Sequence, residues 1–276
     1  MKIFRWRGRG EAGQTTRTPL AQAIALYQAG RYAEAEVEAR SVAAARSQSR
    51  DDTHAPLALG IAALAAGAQG RHADAVTTYD ALLPVFGRIF GAEHPQTLKL
   101  RSDRAQALSS LARHAECEAE CAAVARVAAR DTGPDMLLIA TAARNGQIYA
   151  LTALGRHPEA EALAREALAA YRVLDRFTLV LRLGLARSLN GQDRHEEALA
   201  EAERADELRR RLPQEQRRPE TGAVELATAT ALLGLGRGAE ARLLVTAAQD
   251  ACLAALGPDH RRTAEAEALL DRIDSV

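Results

Sequence analysis

The chain has 276 residues and sets 36 lysines and arginines against 36 aspartates and glutamates, so no global field draws it to nucleic acid or an anionic membrane surface. Hydrophobic residues make up 47% but aromatics only 4%, which suits closely packed helices with small residues at their crossings and disfavours a β-sandwich. No stretch approaches 18 uninterrupted apolar residues, the first 15 hold no run long enough for a secretory signal, and three cysteines make no disulfide framework. These features predict a cytoplasmic protein with free thiols and no stable membrane insertion. Apart from Lys2 and Lys99 the basic residues are arginine, which with the alanine excess reads as the codon bias of a GC-rich bacterial genome, of the actinobacterial kind, and not as a site signal.

Residues 1–17 form a basic tail in which Met1 to Gly10 alternates apolar and basic residues around Trp6. A mobile arm is expected there; a strand, a groove-docking arm and a membrane-surface contact are the alternatives. A hexapeptide then returns six times, from Gly30-Arg31-Tyr32-Ala33-Glu34-Ala35 to Gly236-Arg237-Gly238-Ala239-Glu240-Ala241, at steps of 40, 42, 43, 38 and 43 residues. Such a period denotes stacked supersecondary units sharing one continuous core. In each copy Gly ends one helix in a left-handed turn and the next helix starts within a residue or two.

The predicted architecture is an all-α solenoid, a right-handed superhelix of about six helical hairpins in a single domain over 18–274. Its units span about 18–50, 51–91, 92–133, 134–174, 175–212 and 218–257, with a cap at 258–274. In the fourth unit helix A is expected over about Asp135–Leu154 and helix B over about Pro158–Leu174, Pro158 suiting a first turn. Twelve helices should run in pairs from about Pro19 to Leu256, followed by a thirteenth over Asp259–Ile273 that covers the last apolar face. Leu212-Pro213-Gln214-Glu215-Gln216-Arg217-Arg218-Pro219 reads as an exposed loop, either a tolerated insertion or a hinge.

The junctions Gly91-Ala92-Glu93-His94-Pro95-Gln96-Thr97-Leu98, Gly133-Pro134-Asp135-Met136 and Gly257-Pro258-Asp259-His260 place an acidic residue to cap the following helix A. With the hexapeptide, they resemble the 42-residue tetratricopeptide repeats (TPR) of the kinesin light chain type over roughly residues 18–274. That resemblance implies a scaffold that binds peptides or proteins, and sometimes small ligands, on a concave surface lined by the A helices.

His114, Cys117 and Cys121 share one helical face, a spacing that can begin a metal site. The repeat register explains them more simply, since Cys117 stands where Ala35, Ala75, Ala160, Ala198 and Ala241 stand, and Cys121 where Ala39, Ala164 and Ala202 do. No metal, cofactor or catalytic residue is expected, and no phosphate-binding glycine motif occurs. By the resemblance, Arg101, Arg144 and Arg182 form a row that either grips partner carboxylates or pairs with acidic residues of neighbouring helices, the second being favoured. Of the asparagines that follow this arginine in the family and hold peptide backbone, Asn145 alone remains. Lys99, Asp103, Gln106, Tyr149 and Arg187 complete a sparse polar set in a groove made apolar by Leu57, Ile61, Leu64, Val180, Leu226 and Ala227.

The sequence therefore predicts a non-enzymatic adaptor for a protein or peptide partner. A sensor or carrier of a small apolar ligand, or an enzyme with catalytic residues gathered from separate repeats, is the alternative. Nucleic acid is not expected as a partner, and homo-oligomerisation stays open.

Overall fold

The computed structural model describes residues 19–46, 53–258 and 260–275; the basic tail, 1–17, lies outside them. Among the described residues all regular structure is helical: α1 (Pro19–Gln28), α2 (Tyr32–Arg46), α3 (His54–Ala68), α4 (His72–Ile89), α5 (Pro95–Ser110), α6 (His114–Ala128), α7 (Pro134–Ala153), α8 (His157–Ala170), α9 (Arg176–Asn190), α10 (His195–Arg211), α11 (Gln214–Arg217), a 3-10 turn (Arg218–Glu220), α12 (Ala223–Gly234), α13 (Gly238–Leu256) and α14 (Arg261–Asp274). The architecture is an all-α solenoid of helical hairpins, with α14 packed on α12 and α13. No helix of the described residues is long and apolar enough to cross a membrane.

The repeated hexapeptide is the turn inside each hairpin. Its first residue is left-handed in all six copies, with φ 80° at Gly30, 82° at Gly70, 73° at Gly155 and 74° at Gly236, and also 57° at Ala112 and 58° at Asp193. Glycine takes this conformation freely, whereas a Cβ crowds the following carbonyl and costs about 1–2 kcal/mol. The arginine that follows accepts the first i to i+4 bond of the helix at its carbonyl, as Ala160 N–H donates to Arg156 and Ala198 N–H to Arg194. Its guanidinium closes on the acid three residues later: Arg113 Nε–Glu116 Oε1 is 2.6 Å, and Arg156–Glu159, Arg194–Glu197 and Arg237–Glu240 repeat the fork at 2.6–2.7 Å. The sixth residue is buried in every copy, Cys117 included.

The chain divides into two compact parts, residues 2–140 and 141–276. In the first, Ala23, Ala39 and Ala62 pack with Ile61 where α1, α2 and α3 meet, and Tyr79, Leu98, Leu108 and Val124 are fully buried. Glu36 of α2 ties this part together: Arg40 (3.0 Å), Gln69 (2.8 Å) and Arg71 all donate to it. Burial raises this carboxyl, yet the hydrogen bonds outweigh it and hold the group below the usual carboxylate range.

In the second part, Ile148 and Leu151 of α7 pack on Ala160, Ala164 and Ala167 of α8 and on Leu181, Leu185 and Leu189 of α9. Gly184 belongs to this contact, because a Cβ there would collide with Ile148. Leu226, Leu232, Val245, Ala266 and Leu269 join α12, α13 and α14 in a further cluster. Glu161 repeats the Glu36 arrangement with Arg165, Gln192 and Arg194 at 2.8, 2.9 and 2.6 Å.

Three local expectations are corrected. Helix B of the fourth unit stops at Ala170, because the chain turns to let the Tyr171 hydroxyl donate to Asp175, whose carboxylate caps α9 by accepting from Phe177 N–H. The starts of α5 and α14 are capped by imidazole nitrogens: His94 Nδ1 accepts from Gln96 N–H and His260 Nδ1 from Arg262 N–H, while Asp259 lies outside the described residues. Thr97 and Thr263 hydroxyls close the same turns by donating to the carbonyls of Gly91 and Gly257. The segment 212–219 is exposed at Pro213, Gln214, Glu215, Arg217 and Arg218 as expected, but it is not irregular: Pro213 caps α11, the 3-10 turn follows, and Leu212 is buried beside Leu208 and Val224.

Candidate binding site

The arginine row turns inward. Arg101 of α5 donates through Nε to Glu120 of α6 at 2.6 Å, Arg144 of α7 to Glu166 of α8 at 3.3 Å, and Arg182 of α9 to Glu201 of α10 at 2.9 Å. Each is a helix A to helix B bond within one hairpin, so the row braces the hairpins instead of standing free. Lys99 likewise pairs with Asp103 one turn along α5, and Gln106 is exposed on the same helix. The apolar lining is also smaller than its spacing suggests. Leu57, Leu226 and Ala227 are buried, while Ile61, Leu64 and Val180 stay partly open. Cys117 and Cys121 are buried free thiols 4.0 Å apart, and no metal-holding group of His, Cys, Asp and Glu occurs among the described residues.

Asn145, Tyr149 and Arg187 behave differently, and all lie in the second part. Asn145 and Tyr149 are one turn apart on α7 and therefore share a face. The Oδ1 of Asn145 is enclosed by protein and has no hydrogen-bond partner; the same holds for Nη2 of Arg187 on α9. A buried polar atom left unpaired costs about 1–3 kcal/mol, and Ser102 Oγ, Ser109 Oγ and Arg262 Nε are in the same state. The fourth member comes from the cap helix. The Arg261 guanidinium lies over the Tyr149 ring, 4.1 Å from its centroid, within the reach of a cation–π contact.

Arg261 is open to solvent by surface area, yet desolvation by the surrounding protein draws its pKa down, with Arg187 and Arg262 acting in the same sense and Tyr149 and Glu265 opposing. The guanidinium remains charged at any physiological pH.

An anchor joins α9 to α14. Glu220, at the end of the 3-10 turn, is 3% exposed and accepts from Arg176 Nε of α9 at 2.8 Å and from Arg262 Nη2 of α14 at 2.5 Å. Burial alone would raise its carboxyl, but Arg176, Arg262 and the more distant Arg187 hold it below the usual carboxylate range. Arg262 also donates to the carbonyl of Pro219 at 2.6 Å, and Gln216 of α11 accepts the backbone N–H of Arg176. Arg176 and Arg262 are thus occupied by Glu220. Arg187 and Arg261 make no hydrogen bond or ion pair among the described residues.

Sequence reasoning missed Glu220, Arg176, Arg261 and Arg262. Their signals were present but ambiguous: two arginines directly after His260, and an acid after Pro219, a place that had no counterpart in the other repeats.

No protein-family model matches the chain, and no curated protein matches it. Solved structures do. The chain is similar to a kinesin light chain protein of nearly identical TPR-like repeats from Podosopora anserina, at 21% identity and a TM-score of 0.58 over 70% of this chain and 93% of that one. It is similar to PlcR of Bacillus thuringiensis, solved with the peptide PapR7 and DNA, at 17% identity and a TM-score of 0.60 over 78% and 74% of the two chains. BtubC from P. vanneervenii matches at 16% identity and a TM-score of 0.57 over 86% and 92%. At these identities the likeness is one of fold: the chain has the solenoid architecture of TPR-like repeat proteins.

Proposed function

We propose that the chain is a non-enzymatic binding module that holds a peptide segment of a partner protein on the wall formed by Asn145, Tyr149, Arg187 and Arg261. The observation that carries this reading is the solvent-open Arg261 guanidinium seated on the Tyr149 ring, with Asn145 one turn away on the same face of α7. A peptide backbone supplies N–H and C=O groups for such a mixed polar and aromatic face. A small apolar ligand finds less support, because Leu57, Leu226 and Ala227 are buried in the core. The peptide seen with PlcR shows that a neighbouring fold can carry one, and it enters here as support by analogy.

The test is site-specific photo-crosslinking in the native host, with a benzophenone amino acid at position 149 and, separately, at Leu243, which is 74% exposed on α13. A polypeptide captured at 149 and not at 243, and lost when Asn145→Ala is added, is the expected result. Capture at 243 alone, or a copurified small molecule with no polypeptide at 149, overturns the reading.

A further inference from the structure

The turn between α8 and α9 departs from its counterparts. Other turns from helix B to helix A carry small or polar residues, Gly91-Ala92-Glu93 and Asp131-Thr132-Gly133, whereas here Val173 and Leu174 stand side by side at 50% and 69% exposure. One exposed aliphatic side chain is ordinary; adjacent ones that the turn itself does not require mark a contact surface. The backbone adds a second observation. Tyr171 and Asp175 are extended, residues 171–174 belong to no regular element beyond the end of α8, and the N–H groups of Arg172, Val173 and Leu174 meet no acceptor among the described residues. Charge adds a third. Gln216 of α11 accepts the N–H of Arg176 at 3.3 Å, so α11 lies alongside this turn. The guanidinia of Arg172, Arg217 and Arg218 are exposed and make no hydrogen bond or ion pair among the described residues. Asp175 caps α9 and accepts from Tyr171, and Glu220 is taken by Arg176 and Arg262, which leaves Glu215 exposed against these arginines.

We infer that the α8–α9 turn and α11 form a second docking edge, which takes an extended segment of a partner protein that carries both carboxylates and aliphatic side chains. Its backbone carbonyls accept from the N–H groups of Val173 and Leu174, and its carboxylates meet Arg172, Arg217 and Arg218. An extended stretch with unused donors pairs with an extended peptide in the way a sheet edge takes an added strand. Alternate side chains of such a peptide fall on one face, so aliphatic ones reach Val173 and Leu174 while carboxylates answer the paired donors of the guanidinia. A bilayer is the poorer occupant, because seating Val173 and Leu174 in hydrocarbon carries their N–H groups to a place where nothing accepts them. The edge shares no residue with the Asn145 and Tyr149 face, and it stands or falls separately from the reading of that face.

The experiment uses the full chain, isotopically labelled, and follows backbone amide resonances and their hydrogen exchange by NMR. The probes are a capped Asp-Val-Asp-Val-Asp peptide, its Asn-Val-Asn-Val-Asn counterpart, and vesicles of phosphatidylcholine mixed with phosphatidylserine. The expected result is that the Asp peptide shifts the amides of Arg172, Val173 and Leu174, slows their exchange, and binds about tenfold tighter than the Asn peptide. Arg217→Gln together with Arg218→Gln should remove most of that preference, and Leu174→Ser should weaken both peptides; these side chains are exposed, so the fold survives the changes. Shifts confined to α7 and abolished by Asn145→Ala overturn the edge and leave the proposed function standing. Equal binding of the two peptides, unchanged in the double arginine variant, overturns the acidic partner. Vesicle binding that is lost in Leu174→Ser, with no response to either peptide, reassigns the edge to a lipid surface and overturns the inference. Amides of 172–174 unmoved by every probe overturn it outright.

Discussion

Glu220→Gln is the substitution with the largest calculable consequence. The native carboxylate is 3% exposed and answers two guanidinia, so the amide leaves two buried or half-buried cations facing a neutral group. Removing one partner of a buried ion pair costs about 3–5 kcal/mol. Two features place this case near 3 kcal/mol: Arg176 is 26% exposed and can turn to water, and Arg262, at 11%, keeps the Pro219 carbonyl. The loss should concentrate in the last repeat, because Glu220 joins α9 to α14 and a solenoid can open from its end. Urea unfolding followed by circular dichroism gives the total, and hydrogen exchange of α14 amides gives its location.

The pH dependence has a definite sign. The folded carboxyl is held below its unfolded value, so its contribution is complete above about 4.3, the ordinary glutamate pKa, and is lost as pH falls below that. The variant should flatten this acid limb. A loss under about 1 kcal/mol with α14 exchange unchanged would refute the anchoring argument.

Further outcomes follow from the repeat itself. Arg156→Ala should lower stability by less than about 1 kcal/mol in thermal unfolding, despite its ideal fork, since Arg156 and Glu159 are 44% and 58% exposed; a loss above twice that would mean the fork does more than brace an exposed turn. Gly234→Ala drives a methyl into the His195 ring and should cost about 1–3 kcal/mol, with His195→Ala added in the same chain restoring most of it. Failure of that rescue would place the strain elsewhere. Ala112→Gly relieves a left-handed alanine and should raise stability by up to about 1 kcal/mol, whereas Asp193→Gly should gain less because aspartate tolerates that region; the reverse order in paired melting curves would contradict the turn geometry.

Much of this architecture was readable from the residues because the information is local and repeated. A left-handed glycine, an arginine and an acid three residues on constitute one turn and one salt bridge within a single hairpin, so six copies in register announce six hairpins without any knowledge of how they stack. The buried alanine and cysteine at the sixth place follow from the same periodicity. Even the pairing of Arg101, Arg144 and Arg182 with acids of the neighbouring helix was the favoured alternative, and Glu120 and Glu201 share one repeat register while Glu166 stands three residues further along.

The candidate site was legible only in part. Asn145, Tyr149 and Arg187 could be placed on the A helices by register, but nothing in the chain between 150 and 260 says that Arg261 comes to rest on Tyr149. Nor does sequence distance show that Glu220, directly after a segment read as an exposed loop, becomes the buried partner of two arginines about 40 residues away on either side. Hairpin geometry is set by neighbours within a few residues, and a sequence displays those neighbours directly. The seat of Arg261 on Tyr149 and the Glu220 bridge between Arg176 and Arg262 are set by which distant helices pack together, and that is a property of the packed tertiary structure alone.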